Sequence, residues 1–228
     1  MTRLRSLALA AGLLYLVTHV TSVGAAIFYR LATEGGGAGL IQVGVALEVT
    51  LALACVGNGI VLLAVLRPYA PVGAAAFAGL RGLEAAIIGA GTLPMIVLVQ
   101  LQTGAIAAPT DPALEPTLEW LHEASFLVGQ GLVIAVNTVI LAVALWRSRL
   151  VFPGIPILGA IGGTLVLLSD LGQLFGVVEQ SGSLAMVLAV PIFAFELWFA
   201  GYMLFVGFRP DSPERMVVSA EAAAAPSR

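Results

Sequence analysis

Residues 79–94 read GLRGLEAAIIGAGTLP. The stretch sits in one of the most apolar regions of the chain, yet it carries Arg81 and Glu84 three positions apart. On a helix, residues at i and i+3 share a face, so the guanidinium and the carboxylate can pair locally. A paired charge costs less in an apolar medium than two isolated ones. The fold therefore turns on whether the surrounding apolar sequence is a soluble core or a membrane span.

Composition decides for the membrane. Of 228 residues, 60% are hydrophobic and 10% charged, with a mean hydropathy of +1.04. Soluble domains carry about 25% charged residues, and a soluble surface this apolar would be covered in sticky patches. Six apolar stretches stand out, at about 6–29, 39–66, 73–101, 119–146, 154–178 and 184–208. Each is long enough to cross roughly 30 Å of hydrocarbon at about 1.5 Å per residue. No alternating strand pattern is visible, and lipid leaves no backbone group unpaired, so the spans are expected to be helices. The expected fold is an all-α, polytopic membrane bundle of about six transmembrane helices over residues 1–208. Residues 209–228 read as a short cytoplasmic, disordered tail.

Breaks between spans are legible as Glu34–Gly37, Arg67–Pro71, the Pro-rich 109–116, Arg149–Gly154 and 178–183. The first span follows Arg3 and Arg5 like a signal peptide, but its apolar run continues to Tyr29 and Arg30 and reads as an uncleaved helix. All ten basic residues are arginine. With the amino terminus inside, Arg3, Arg5, Arg67, Arg147, Arg149, Arg209, Arg215 and Arg228 fall on the cytoplasmic side, against Arg30 alone outside. That asymmetry predicts cytoplasmic termini in a multi-pass protein. The arginine, alanine and glycine usage suggests a bacterial plasma membrane.

An ionisable group at mid-membrane costs about 2.5–3.5 kcal/mol even on insertion scales. The chain nevertheless places Glu48 in the second span, Arg81 and Glu84 in the third, Asp170 in the fifth and Glu196 in the sixth. Four acids against one arginine leave carboxyls that must be neutral, hydrated or bound to something. His19, Gln130, Asn137 and Gln173 add uncharged polarity, and His122 and Glu123 lie near the outer mouth of the fourth span. Glu123, Gln130 and Asn137 recur every seven residues and are expected on one helix face. Gly159, Gly163, Val166, Asp170 and Gln173 form a stripe, and the spacings Gly159–Gly163 and Gly172–Gly176 suggest close helix packing. Together these residues predict one polar cavity opening away from the cytoplasm, with Arg81 as its floor.

Each also has a plainer reading. Glu48 and Glu196 can act as protonated interhelical glue, as can Gln130 and Asn137. Arg81–Glu84 can be a structural clamp, and His19 an interhelical hydrogen-bonding residue. Cys55 lies within an apolar run and reads as a small buried group.

The chain has no lysine, which excludes a P-loop, and no HExxH. Two histidines leave at most a site such as His19, His122, Glu123 and Asp170, which no spacing supports, so no metal or cofactor is expected. No basic patch fits nucleic acid. No internal repeat is visible, so the inverted-repeat mark of many transporters is missing.

Several stretches are similar to one family: AAGLLYLVTHV at 10–20, FAGLRGLEAAIIG at 77–89, LHEASFLVGQGL at 121–132, LWRSRLVFPGIPILGAIGG at 145–163 and AVPIFAFELWFAGYMLFVGF at 189–208. Together, covering residues 3–209, they resemble the bacterial membrane-protein family of domain of unknown function 4386. Arg81 and Glu84 fall where that family shows its Arg…Glu pair, and Glu196 also matches. Gly154 departs from the pattern, which has a basic residue after the proline. The resemblance implies a six-helix membrane protein and carries over no activity.

The leading expectation is a protein that binds or passes a small ligand (a lipid, cation or proton) in the polar cavity. The alternatives are a membrane-embedded enzyme using Glu123, His122 or Asp170 as acid–base groups, and a non-catalytic bundle. Expected partners are membrane lipids and a small-molecule or lipid ligand; a bundle of the last kind would pair with a second copy or another membrane protein.

Overall fold

The computed structural model describes residues 3–107, 112–180 and 182–209. The tail expected to be disordered lies outside the described residues from position 210 onward. Seven helices make six spans: α1 (Arg3–Leu31), α2 (Ala38–Leu66), α3 (Pro71–Gln102), α4 (Leu114–Phe126) continuing through a π-helical stretch (Leu127–Val133) into α5 (Ile134–Ser148), α6 (Gly154–Leu174) and α7 (Ser183–Phe205). No strand occurs among the described residues. All six spans are long and apolar enough to cross a membrane. Their outward faces carry side chains such as Leu13, Val20, Leu53, Ile60 and Leu168, which are stable facing acyl chains and would not be in water. The protein is a multi-pass, all-helical membrane protein.

Short connections make successive spans antiparallel neighbours. Each span packs on the next, and α7 returns to α1, closing a ring. Arg5 fastens that closure, donating from its guanidinium to the Met203 and Leu204 carbonyls at 3.2 and 2.6 Å. Close approach is also built into the sequence as missing side chains. A Cβ on Gly12 would meet the Ala200 carbonyl at 2.9 Å, and one on Gly162 would meet the backbone of Ile192 at 2.5 Å.

One end of the bundle holds both the start of α1 and the end of α7, and is called here the terminal face. Its interior is a dense apolar core drawn from all six spans, including Tyr15, Leu62, Phe77, Leu145, Ile155, Phe195 and Phe199. Arg209 N–H donates to the Leu150 carbonyl at 2.8 Å, tying the segment that follows α7 to the α5–α6 turn on that face. Toward the opposite face a smaller apolar cluster that includes Ile41, Met95, Leu98 and Leu118 joins α2, α3 and α4, and polar side chains line open space beside it.

Two sequence expectations change here. The Gly172–Gly176 spacing is not a helix-packing motif. Gly176 takes φ 70°, while the Val177 and Val178 N–H groups fold back to the Gly172 carbonyl at 2.7 and 3.1 Å, so these glycines end α6. That cap also stops the helix at Leu174, short of the expected 178. Gly159 and Gly163 do pack closely, but on different neighbours, Phe195 of α7 and the Ala135 carbonyl of α5. The second change concerns the seven-residue stripe of Glu123, Gln130 and Asn137. Gln130 lies within the π-helical stretch, whose i→i+5 turns insert extra residues and rotate the downstream face. The three side chains consequently point into three different surroundings.

Candidate functional site

The site is built around α3. Arg81 and Glu84 are both 1% exposed, deep inside the ring. Arg81 donates from Nη1 to both Glu84 oxygens, at 3.0 and 3.1 Å. Two other helices complete the carboxylate's shell. Asn137 of α5 donates from Nδ2 to Oε2 at 2.6 Å, and the Cys55 thiol of α2 donates to Oε1 at 3.6 Å. The guanidinium lies against the rings of Tyr15 and Phe77, with Cζ 5.3 and 5.5 Å from their centroids. These rings belong to the apolar core, so Arg81 stands at the boundary between that core and the open half. Gly59 allows α2 close enough for this arrangement, since a Cβ there would press on Arg81 Cβ at 3.2 Å.

Glu196 of α7 links the pair to a histidine. Its Oε1 is 3.8 Å from Arg81 Nη2, beyond hydrogen-bond length, and its Oε2 is 3.4 Å from His19 Nδ1 on α1. Arg81, Glu84, Glu196 and His19 line a cavity of about 240 Å³, together with Ser22, Gln130, Asp170 and Gln173. Ser22 donates to the Gln130 amide oxygen at 2.7 Å. Gln173 donates to Asp170 Oδ1 at 2.8 Å, but Asp170 Oδ2 has no hydrogen-bond partner. Asp170 reaches this position because Gly131, in the π-helical stretch, lacks the side chain that would occupy its place; a Cβ there would meet Oδ2 at 2.7 Å.

A second, larger chamber of about 790 Å³ lies toward the end of α1. It is lined by Tyr29, Arg30, Glu48, Glu119, His122 and Glu123 among others, and it shares Ser22, Phe126 and Gln180 with the smaller cavity. Tyr29 donates its hydroxyl to Glu48 Oε2 at 2.9 Å, and His122 Nε2 is 3.6 Å from Glu48 Oε1. Gly44 leaves room for the Tyr29 ring against α2.

The structure thus gathers Arg81, Glu84, Glu196, His19, Gln130, Asp170 and Gln173 around one cavity and puts Glu48 and Glu123 in its neighbour. Asn137 faces neither and instead bonds Glu84 from behind. A single shared chamber is therefore corrected to two adjoining ones. The two meet at Ser22, Phe126 and Gln180, which line both. His122 and Glu123 are in one chamber and Asp170 in the other, so the acid–base set of the enzyme reading is divided. The quartet His19, His122, Glu123 and Asp170 does not converge either, and no group of three or more metal-ligating side chains occurs among the described residues.

Sequence reading missed several participants. Cys55 is buried as expected, yet its sulfur touches both charges of the central pair. Tyr29 and Ser22 gave no signal beyond ordinary placement in an apolar span. Asn58, one helical turn beyond Cys55, is fully buried with neither amide atom hydrogen-bonded.

A helical ring with a buried arginine–glutamate pair beside polar intramembrane cavities defines the class of this molecule. A family model described as Domain of unknown function (DUF4386) matches residues 10–207, and the chain belongs to that family. No curated protein and no solved structure matches the chain.

Proposed function

We propose that the protein binds a small cationic ligand, such as a protonated amine, in the smaller cavity. The observation that carries this reading is the unpaired Asp170 carboxylate oxygen. Three acids, Glu84, Asp170 and Glu196, line the cavity with a single arginine. Arg81 and its partners account for Glu84, while Arg81 and His19 face Glu196. Asp170 is left with one amide donor on one oxygen and nothing on the other. A buried acceptor without a partner is costly, and because Oδ2 is packed against Gly131 rather than open to the cavity, a ligand N–H or cation would satisfy it once the carboxylate turns toward the open space. A volume of about 240 Å³ accommodates a small organic ion. The arginine distribution supports entry from the side opposite the termini, with both termini cytoplasmic in a bacterial plasma membrane.

The test uses the purified chain in lipid nanodiscs and a series of alkylammonium ions of increasing size. At a hundredfold excess over the dissociation constant, a bound ion stabilises the folded state by about 2.7 kcal/mol. Wild type is expected to gain thermal stability with the smaller ions, and Asp170→Asn to lose that gain. The reading fails if no ion in the series stabilises wild type, or if Asp170→Asn responds equally.

A further inference from the structure

The larger chamber contains a second arrangement that the ligand reading does not use. Four helices converge on Glu48 and His122, which are 3% and 9% exposed. His122 Nδ1 lies 2.9 Å from the Gly91 carbonyl of α3. A carbonyl oxygen only accepts, so this contact places a ring hydrogen on Nδ1 and leaves Nε2 as the atom that gains or loses a proton. Nε2 faces Glu48 Oε1 at 3.6 Å. The other Glu48 oxygen is occupied by the Tyr29 hydroxyl at 2.9 Å. Each partner thus has one atom anchored and one atom turned to the other. Gly91 makes the anchor possible, because a Cβ there would collide with the Ser125 side chain and hold α4 away.

We propose that Glu48 and His122 form a one-proton site in the larger chamber, with the proton held between Glu48 Oε1 and His122 Nε2. In one form Oε1 carries the proton and the imidazole is neutral. When the O–H bond breaks and an N–H bond forms at Nε2, the same proton makes a carboxylate–imidazolium pair with no change in total charge. Loss of that proton to the chamber leaves a carboxylate beside a neutral ring, one negative charge more. A small closing motion to about 2.8 Å makes the direct hydrogen bond.

Charged groups on the neighbouring elements face this site. From α4, Glu119 and Glu123 face the chamber; from α1 come Tyr29 and Arg30, and Arg30 is held by Glu34 at 3.0 Å. The residues of α3 and the α6–α7 turn that line it, Met95, Gln102 and Gln180, are uncharged. The His19–Glu196 contact differs because Arg81 already compensates Glu196. The proton site stands independently of amine binding in the smaller cavity, and its test uses no ligand.

Only two histidines occur in the chain, so imidazole 15N NMR of histidine-labelled protein in nanodiscs reports each one directly. A His19→Gln variant leaves His122 as the sole signal. At high pH, His122 is expected as the Nδ1–H tautomer, and on acidification its Nε2 takes the proton. At a pH where the wild-type His122 signal shows partial protonation, Glu48→Gln is expected to cut the imidazolium fraction at least about threefold, and Tyr29→Phe to alter it less. An Nε2–H tautomer in the neutral ring overturns the proposal even if Glu48→Gln fails to fold. So does an unchanged imidazolium fraction in a folded Glu48→Gln protein.

Discussion

Arg81 is buried with only one of its guanidinium nitrogens, Nη1, hydrogen-bonded. Its charge is matched by Glu84 of the same helix at hydrogen-bonding distance and approached by Glu196 from α7, with two aromatic rings beneath. Removing one partner from a buried pair costs about 3–5 kcal/mol, because the remaining charge is left without compensation. Glu84→Gln is therefore expected to lower thermal stability in detergent by an amount in that range. Replacing both residues, as Arg81→Met with Glu84→Leu, should recover part of the loss; no recovery would show that Asn137 and Glu196 depend on the pair. The local Arg81–Glu84 contact was readable from i,i+3 spacing. The roles of Cys55, Asn137 and Glu196 were not, because these residues lie on other helices and only packing brings them to α3.

Among the helices, two irregularities set the shape of the site. The π-helical stretch Leu127–Val133 offers Gly131 to Asp170 and turns Asn137 toward Glu84. A seven-residue repeat predicts one face only while the helix keeps its 3.6-residue period, and here it does not. Glycines set the second irregularity, the close contacts between spans. At Gly162 an added methyl would strike the α7 backbone near Pro191 and Ile192, whereas Gly82 and Gly89 have nothing within 4 Å. Gly162→Ala is expected to cost about 1–3 kcal/mol through overpacking. Gly82→Ala should be neutral or stabilise by up to about 1 kcal/mol through helix propensity. Thermal unfolding of the two variants side by side checks the contrast, and equal midpoints would contradict it.

The whole molecule is a ring with its largest apolar core at one end and two polar chambers, beside a smaller apolar cluster, toward the other. Its apolar core seals the terminal face, and the two chambers lie on the opposite side of Arg81. The larger chamber lies toward the face bearing the α1–α2 turn. The arginine asymmetry predicts that this face lies outside the cell. Single cysteines introduced by Ala107→Cys and Pro68→Cys, both exposed positions in connections, test the orientation. The native Cys55 is buried and can remain. A membrane-impermeant maleimide added to intact cells is expected to label the cysteine at 107 and not the one at 68; the reverse pattern would invert the topology.

Hydrophobicity and length were enough to specify six membrane-crossing helices, since a lipid solvent permits few other backbone solutions. The same one-dimensional information exposed the anomalous residues, because an acid or arginine in an apolar run stands out wherever it points. Their grouping was another matter. Which carboxylate meets Arg81, which meets a histidine, and which is left unpaired depend on helix rotation and on where glycines admit a neighbour. Those quantities arise from contacts between residues far apart in the chain, such as Asn137 with Glu84 and Asp170 with Gly131. Ser22, Phe126 and Gln180 come to line two adjoining cavities for the same reason, and only the packed ring reveals how the polar interior is laid out.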